Sequence, residues 1–246
     1  MYKSILISLA FLALATSALG QGVKALLKAA DNYRLPETSM RMDIQVDLFK
    51  SGTLDRQQEY TVYVKDGRRS LVIFRQADQL GQKVLMVADN FWILMPKSRQ
   101  PIRITPMQKL MGDATIGDIS TMTWSEDYDG ALVGPERLDD KQTLHLKLQA
   151  VTPSATYKEI DLYLDEKHHS PIQADLYLAS GKLAKIARFK FGQRNNRQQV
   201  VEMQLEDAIQ KNRMTVVRYV SAEPREIPDK YYNAGYLILS GTGELR

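Results

Sequence analysis

The chain has 246 residues, 44% hydrophobic and 25% charged, and a net charge of +4 with acids and bases interleaved. That suffices for one sizeable core, and without a block of like charges it excludes a nucleic-acid-binding surface, leaving at most weak attraction to an anionic membrane. It contains no cysteine, which excludes disulfides, thiol catalysis and lipidation on an N-terminal Cys.

The N-terminus opens with Lys3, continues apolar from Ile5 to Ala15, and offers small residues at Ala18 and Gly20. This pattern is a secretory signal peptide, residues 1–20, cleaved after Gly20. The apolar run is shorter than the roughly 20 residues of a membrane span. The mature chain, residues 21–246, is expected to be one soluble, monomeric domain in the periplasm.

Residues 22–32 carry Val23, Leu26, Leu27 and Ala30 at helical spacing. Strict alternation follows: Met40, Met42, Ile44, Val46 and Leu48 point one way, and Arg41, Asp43, Gln45 and Asp47 the other. Period two over this length predicts a strand. The segments EYTVYVKDG, RRSLVIFRQ, QKVLMVAD and DNFWILMP read as further short strands, with Asp66-Gly67 and Leu80-Gly81 as turns.

The middle differs. FWILMPKSRQPIRITPMQKLMGD, from Phe91 to Asp113, is too apolar for a surface loop and too broken for one helix. Thr105 with Pro106 suggests a helix start, placing Met107, Leu110 and Met111 on one face. Asp118 suggests the cap of a second short helix, with Ile119 and Met122 inward. Met86, Met95, Met107, Met111 and Met122 concentrate here, and flexible thioethers suit irregular apolar surfaces, whether core or ligand site. The expectation is a lid formed by Met107, Leu110, Met111, Met122 and Trp124. Lys97, Arg99 and Arg103 form its expected basic rim.

Six alternating segments complete the chain: QTLHLKLQAV, YKEIDLYLDE, PIQADLYLAS, KLAKIARFKFG, QQVVEMQLED and NRMTVVRYVS. About eleven short antiparallel strands exceed what a flat sheet holds, so the sheet should curve around a dry face and leave the other wet. The dry side is expected to comprise Met40, Met42, Ile44, Val46, Met86, Trp92, Leu146, Leu162 and Leu176. Either Arg41 or Arg75 is a candidate to point inward and latch the lid.

Catalytic patterns are not evident. His168-His169 sits before Ser170-Pro171 without a third ligand at metal-site spacing. Glu126, Asp127 and Asp129 form an acidic loop, and there is no nucleophile elbow or phosphate loop. Neither an enzyme nor a cofactor or metal protein is expected.

Several stretches resemble one bacterial family: NYR at 32–34, KDGRRSLV at 65–72, GQKVLM at 81–86, residues 91–130, ADLYLASGKLAKIARF at 174–189 and PDKYYN at 228–233. The chain resembles the outer-membrane lipoprotein-sorting-like proteins, related in fold to the LolA/LolB lipoprotein carriers. The resemblance implies a single unclosed antiparallel β-barrel with short helices plugging its concave face. It also implies a hydrophobic cavity for the acyl chains of a lipoprotein or free lipid, with an inner-membrane transporter as a further partner. The alternative is a regulatory or accessory binding module for an envelope transporter, a role the same fold serves in RseB-like sensors.

Overall fold

The computed structural model describes residues 22–35, 39–111, 114–120, 123–240 and 245. The expected signal peptide and Met122 lie outside these residues. Helix α1 covers residues 22–34. Strands β1 (Met40–Lys50), β2 (Thr53–Lys65), β3 (Arg69–Phe74), β4 (Lys83–Val87), β5 (Asn90–Leu94) and β6 (Ile102–Ile104) form a meander. A small hairpin of β7 (Lys109–Met111) and β8 (Ala114–Thr115) leads into helix α2 (Ile116–Ser120). A second meander comprises β9 (Tyr128–Leu138), β10 (Lys141–Ala150), β11 (Glu159–Asp165), β12 (Pro171–Tyr177), β13 (Leu183–Arg194), β14 (Arg197–Asp207) and β15 (Arg213–Pro224). Helix α3 (Ala234–Ser240) follows.

The two meanders join side by side because β1 pairs antiparallel with β15, from Met40 opposite Pro224 to Lys50 opposite Arg213. The resulting sheet has 13 strands in the order β6-β5-β4-β3-β2-β1-β15-β14-β13-β12-β11-β10-β9 and does not close. This is the expected unclosed, curved β-barrel, with more strands than the eleven anticipated. Alternation produces the curvature's dry side: in β11, Ile160, Leu162 and Leu164 are buried between half-buried neighbours. Turn chemistry fixes the register, as in the β13–β14 hairpin, where Asn195 and Asn196 both adopt positive φ, 49° and 58°.

Met40, Met42, Ile44, Val46, Met86, Leu146, Leu162 and Leu176 all join one large core on the concave side. It is plugged by Val23, Leu27 and Ala30 of α1, by Ile116 and Ile119 of α2, and by Trp124. The outer side is not wholly wet. Tyr63, Leu71, Ile73, Leu85 and Leu94 form a second apolar cluster beneath Ile227, Tyr231, Tyr232, Leu237 and Leu245. Trp92 packs against this outer cluster, so its expected place on the concave side is corrected: Phe91 and Ile93 take the inner face of β5, and period two turns Trp92 outward.

The lid expectation is corrected as well. Thr105 starts no helix, and residues 106–108 form a turn. Leu110 and Met111 belong to strand β7 rather than a helix, where Lys109 pairs with Thr115 and Met111 with Ala114. Met107 is exposed, as is Met95, so the methionine stretch does not form one dry helical face. Asp118 lies inside α2; the residue capping the helix is Thr115.

Candidate functional site

Among the described residues the concave core leaves a cleft with mixed chemistry. Its floor comes from Ile160, Ala174, Leu176, Ala187, Phe189 and Met203. Ala174 and Ala187 face each other across β12 and β13, while the flanking partners are Leu162 on β11 and Leu205 on β14. Two short side chains in a row otherwise filled by leucine leave the room. The space within the cleft and its open mouth is about 450 Å³, of which only a small part is enclosed. That enclosed part has room for no more than a few waters.

The roof is a tied assembly. Trp124 meets Phe189 edge to face, ring centroids 5.7 Å apart, and the Arg34 guanidinium lies 4.1 Å above the Trp124 ring. Asp31, one helical turn before Arg34 on α1, accepts N–H bonds from Trp124 (2.7 Å) and Ser125 (2.8 Å). Burial pushes the Asp31 carboxyl up, opposed by the positive charge of Arg34 and by those N–H donors.

Helix α2 closes the other side. Thr115 N–H donates to Asp118 Oδ2 (2.8 Å), and Asp118 N–H donates back to Thr115 Oγ1 (3.2 Å). This reciprocal pair is a capping box with aspartate in the acidic role. Asp118 also accepts from Lys185 Nζ of β13 (2.7 Å) and from the Tyr157 hydroxyl (2.8 Å). Burial, with the Asp118 charge beside it, pushes the Tyr157 phenol well above its ordinary value, which keeps it a donor. The closeness of α2 to the sheet requires a glycine: a Cβ on Gly117 would stand 1.8 Å from Thr156 Oγ1.

Two polar groups lining the cleft are buried without a hydrogen-bond partner among the described residues: Nε and Nη1 of Arg34, and Oγ1 of Thr156. Sequence reasoning passed over both. NYR at 32–34 carried a resemblance, not a role, and an arginine closing an amphipathic helix reads as an ordinary solvent-facing end.

The other site candidates fall elsewhere. Lys97, Arg99 and Arg103 are exposed around the β5–β6 turn and on β6; Arg103 bonds Asn90, and none of the three lines the cleft. Arg41 pairs with Asp43 (2.9 Å) and Glu223 (3.3 Å), and Arg75 donates to Thr61 Oγ1 (2.8 Å). Arg41 sits opposite Tyr63 of the outer cluster, and Arg75 bonds the neighbour of Tyr63 on that face. Neither bonds α2; the basic side chain that does so is Lys185, through Asp118. His168 is exposed and bonds Asp165 (2.9 Å). Among the described residues no cluster of His, Cys, Asp or Glu has metal-holding geometry, and no helix is long and apolar enough to cross a membrane.

Comparison with known proteins places this geometry in context. A family model whose description reads "Uncharacterized protein" matches residues 66–238. The structure of a LolA superfamily protein from Nitrosomonas europaea is 28% identical, covers 87% of this chain and 98% of its own, and superposes with a TM-score of 0.80. A DUF1329 family protein from Desulfovibrio piger is 19% identical (87% and 97% covered, TM-score 0.72). A domain described as an outer membrane lipoprotein-sorting protein, from Vibrio parahaemolyticus, is 17% identical (86% and 97% covered, TM-score 0.68). The last two share the fold. No curated protein matches the chain significantly.

Proposed function

The chain belongs to the LolA-like superfamily of outer-membrane lipoprotein-sorting-like proteins, and from that premise we propose that it is a soluble periplasmic carrier that shields acyl chains in transit between the envelope membranes. The observation that carries this reading is the apolar floor around Ala174 and Ala187 beneath a roof built from α1, α2 and Trp124. An acyl chain gains roughly 0.8 kcal/mol for each methylene it buries. In the closed form the enclosed room is far smaller than a fatty-acyl chain, so loading requires the roof to lift. The roof is built for such lifting, since α2 has five residues and so short a helix owes its order to packing. The cargo is a lipoprotein's acyl chains or free lipid. An inner-membrane transporter is the natural donor, and no cofactor is required.

The test is binding of a fluorescent fatty-acyl probe to wild type and to Ala174→Leu, which fills the floor, with circular dichroism as folding control. Wild type should bind and the folded variant should bind more weakly. A wild type that binds no acyl probe, or a folded variant that binds equally well, overturns the carrier reading.

A second reading, an accessory module that couples an envelope transporter through protein contacts, draws on the small enclosed volume of the cleft. Failure of every acyl probe to bind wild type would move it ahead.

A further inference from the structure

The cleft is apolar on its floor yet holds an arginine whose Nε and Nη1 are buried without a partner among the described residues. A buried donor without an acceptor is costly, and for a charged group the cost is larger. Asp31 feels the charge of Arg34 but accepts no hydrogen bond from Nε or Nη1. Asp31 is committed to the backbone N–H groups of Trp124 and Ser125, and burial favours its neutral form. Asp118, on the far side of the cleft, is saturated by Lys185, Tyr157 and Thr115. The guanidinium carbon lies 4.1 Å from the centre of the Trp124 ring, and Arg34 lines the cleft with Nε and Nη1 still lacking an acceptor among the described residues. Thr156 adds an unpartnered hydroxyl on the cleft wall.

Resting on the carrier reading, we propose that the cleft selects amphiphiles with an anionic head, a carboxylate or phosphate, which Arg34 and Thr156 bind while the acyl chain lies over Ala174, Leu176, Ala187 and Met203. A guanidinium is suited to planar two-oxygen acceptors. The acylated end of a lipoprotein, with its ester and amide carbonyls, presents no anion there. The chemistry therefore favours a free anionic lipid over a lipoprotein anchor.

The experiment measures binding of three probes of one chain length to the mature protein: a fluorescent fatty acid, its methyl ester and the corresponding alkyl phosphate. Measurements use wild type, Arg34→Gln and Arg34→Lys. Wild type should bind an anionic probe about tenfold or more tightly than the ester, and whether acid or phosphate leads identifies the head. Arg34→Gln should lose that preference while keeping the ester's affinity, and Arg34→Lys should retain part of it. Equal binding of acid, phosphate and ester by wild type overturns this inference and leaves the carrier reading standing. Binding of none of the three overturns both. The wild-type comparison decides even if a variant fails to fold.

Discussion

Lys185 Nζ lies 2.7 Å from Asp118 Oδ2, with the two side chains 6% and 4% exposed. This contact joins the start of β13 to α2 and is a charged bond between the plug and the sheet. Removing one partner from a buried pair strands the other charge. Lys185→Met should therefore cost about 3–5 kcal/mol in urea unfolding. The double variant Lys185→Met/Asp118→Asn should recover part of that loss. A cost of the single change below about 1 kcal/mol, the range of a surface pair, would show that the pair does not hold α2 down.

Gly117 permits the close approach of α2 to Thr156. Gly117→Ala should destabilise by about 1–3 kcal/mol through overpacking. Adding Thr156→Ala should restore a portion only, because Thr156 Cβ itself stands 2.9 Å from the new methyl. Thermal unfolding of the two variants checks this, and a Gly117→Ala protein as stable as wild type would contradict the packing described.

How much of this was legible in the sequence varies with the physics of each element. The alternation in β1, β11 and β12 was decisive because each strand has one buried face, so Met42 or Leu162 could be assigned inward from spacing alone. β3 and β4 carry continuous apolar runs, Leu71–Phe74 and Val84–Met86. That is the signature of burial on both faces, and it announced the outer cluster that the expectation of a wet face missed. β9 was not anticipated. It is an edge strand, exposed along most of its length, and Gly130, Gly134 and Pro135 hide its pattern. The floor of the cleft was illegible for a different reason: Ala174 and Ala187 make room only because register sets them opposite one another. The helix expected after Thr105 fails because a Thr-Pro start and apolar spacing fit a helix locally, whereas Lys109 and Met111 pair with Thr115 and Ala114 as strands; Trp124 does cover the concave side.

The outer cluster carries its own prediction. Leu237 of α3 is buried in the same outer cluster as Leu71 and Leu85. Leu237→Ala should cost about 2–5 kcal/mol by transfer and cavity terms. Chemical denaturation measures it. A change of a few tenths would mean that the C-terminal segment contributes little to the fold.

That segment is also clamped by charge. Asp229 bonds Lys65 Nζ and Arg69 Nη1, each at 2.9 Å. Lys65 first, and Arg69 after it, hold its carboxyl below the ordinary value of 3.8. A carboxyl lowered by folding stabilises above its unfolded pKa, and the contribution is lost as pH falls through the folded value. Acidification below 3.8 should therefore loosen residues 227–240 from the sheet. Trp92 emission in a Trp124→Phe background reports the step, because Trp92 packs against this segment. Asp229→Asn should remove the acid step; a step of unchanged size would assign it to other carboxyls.

The seam between β1 and β15 has a consequence in time. A chain synthesised from its N-terminus completes the first meander early, yet β1 keeps one edge open along all eleven residues until β15, beginning at Arg213, arrives. An open, alternating edge of that length is a template for pairing with any other extended chain. The half-built sheet is thus the aggregation-prone species on the way to the fold, and the hazard ends when the last strand closes the gap.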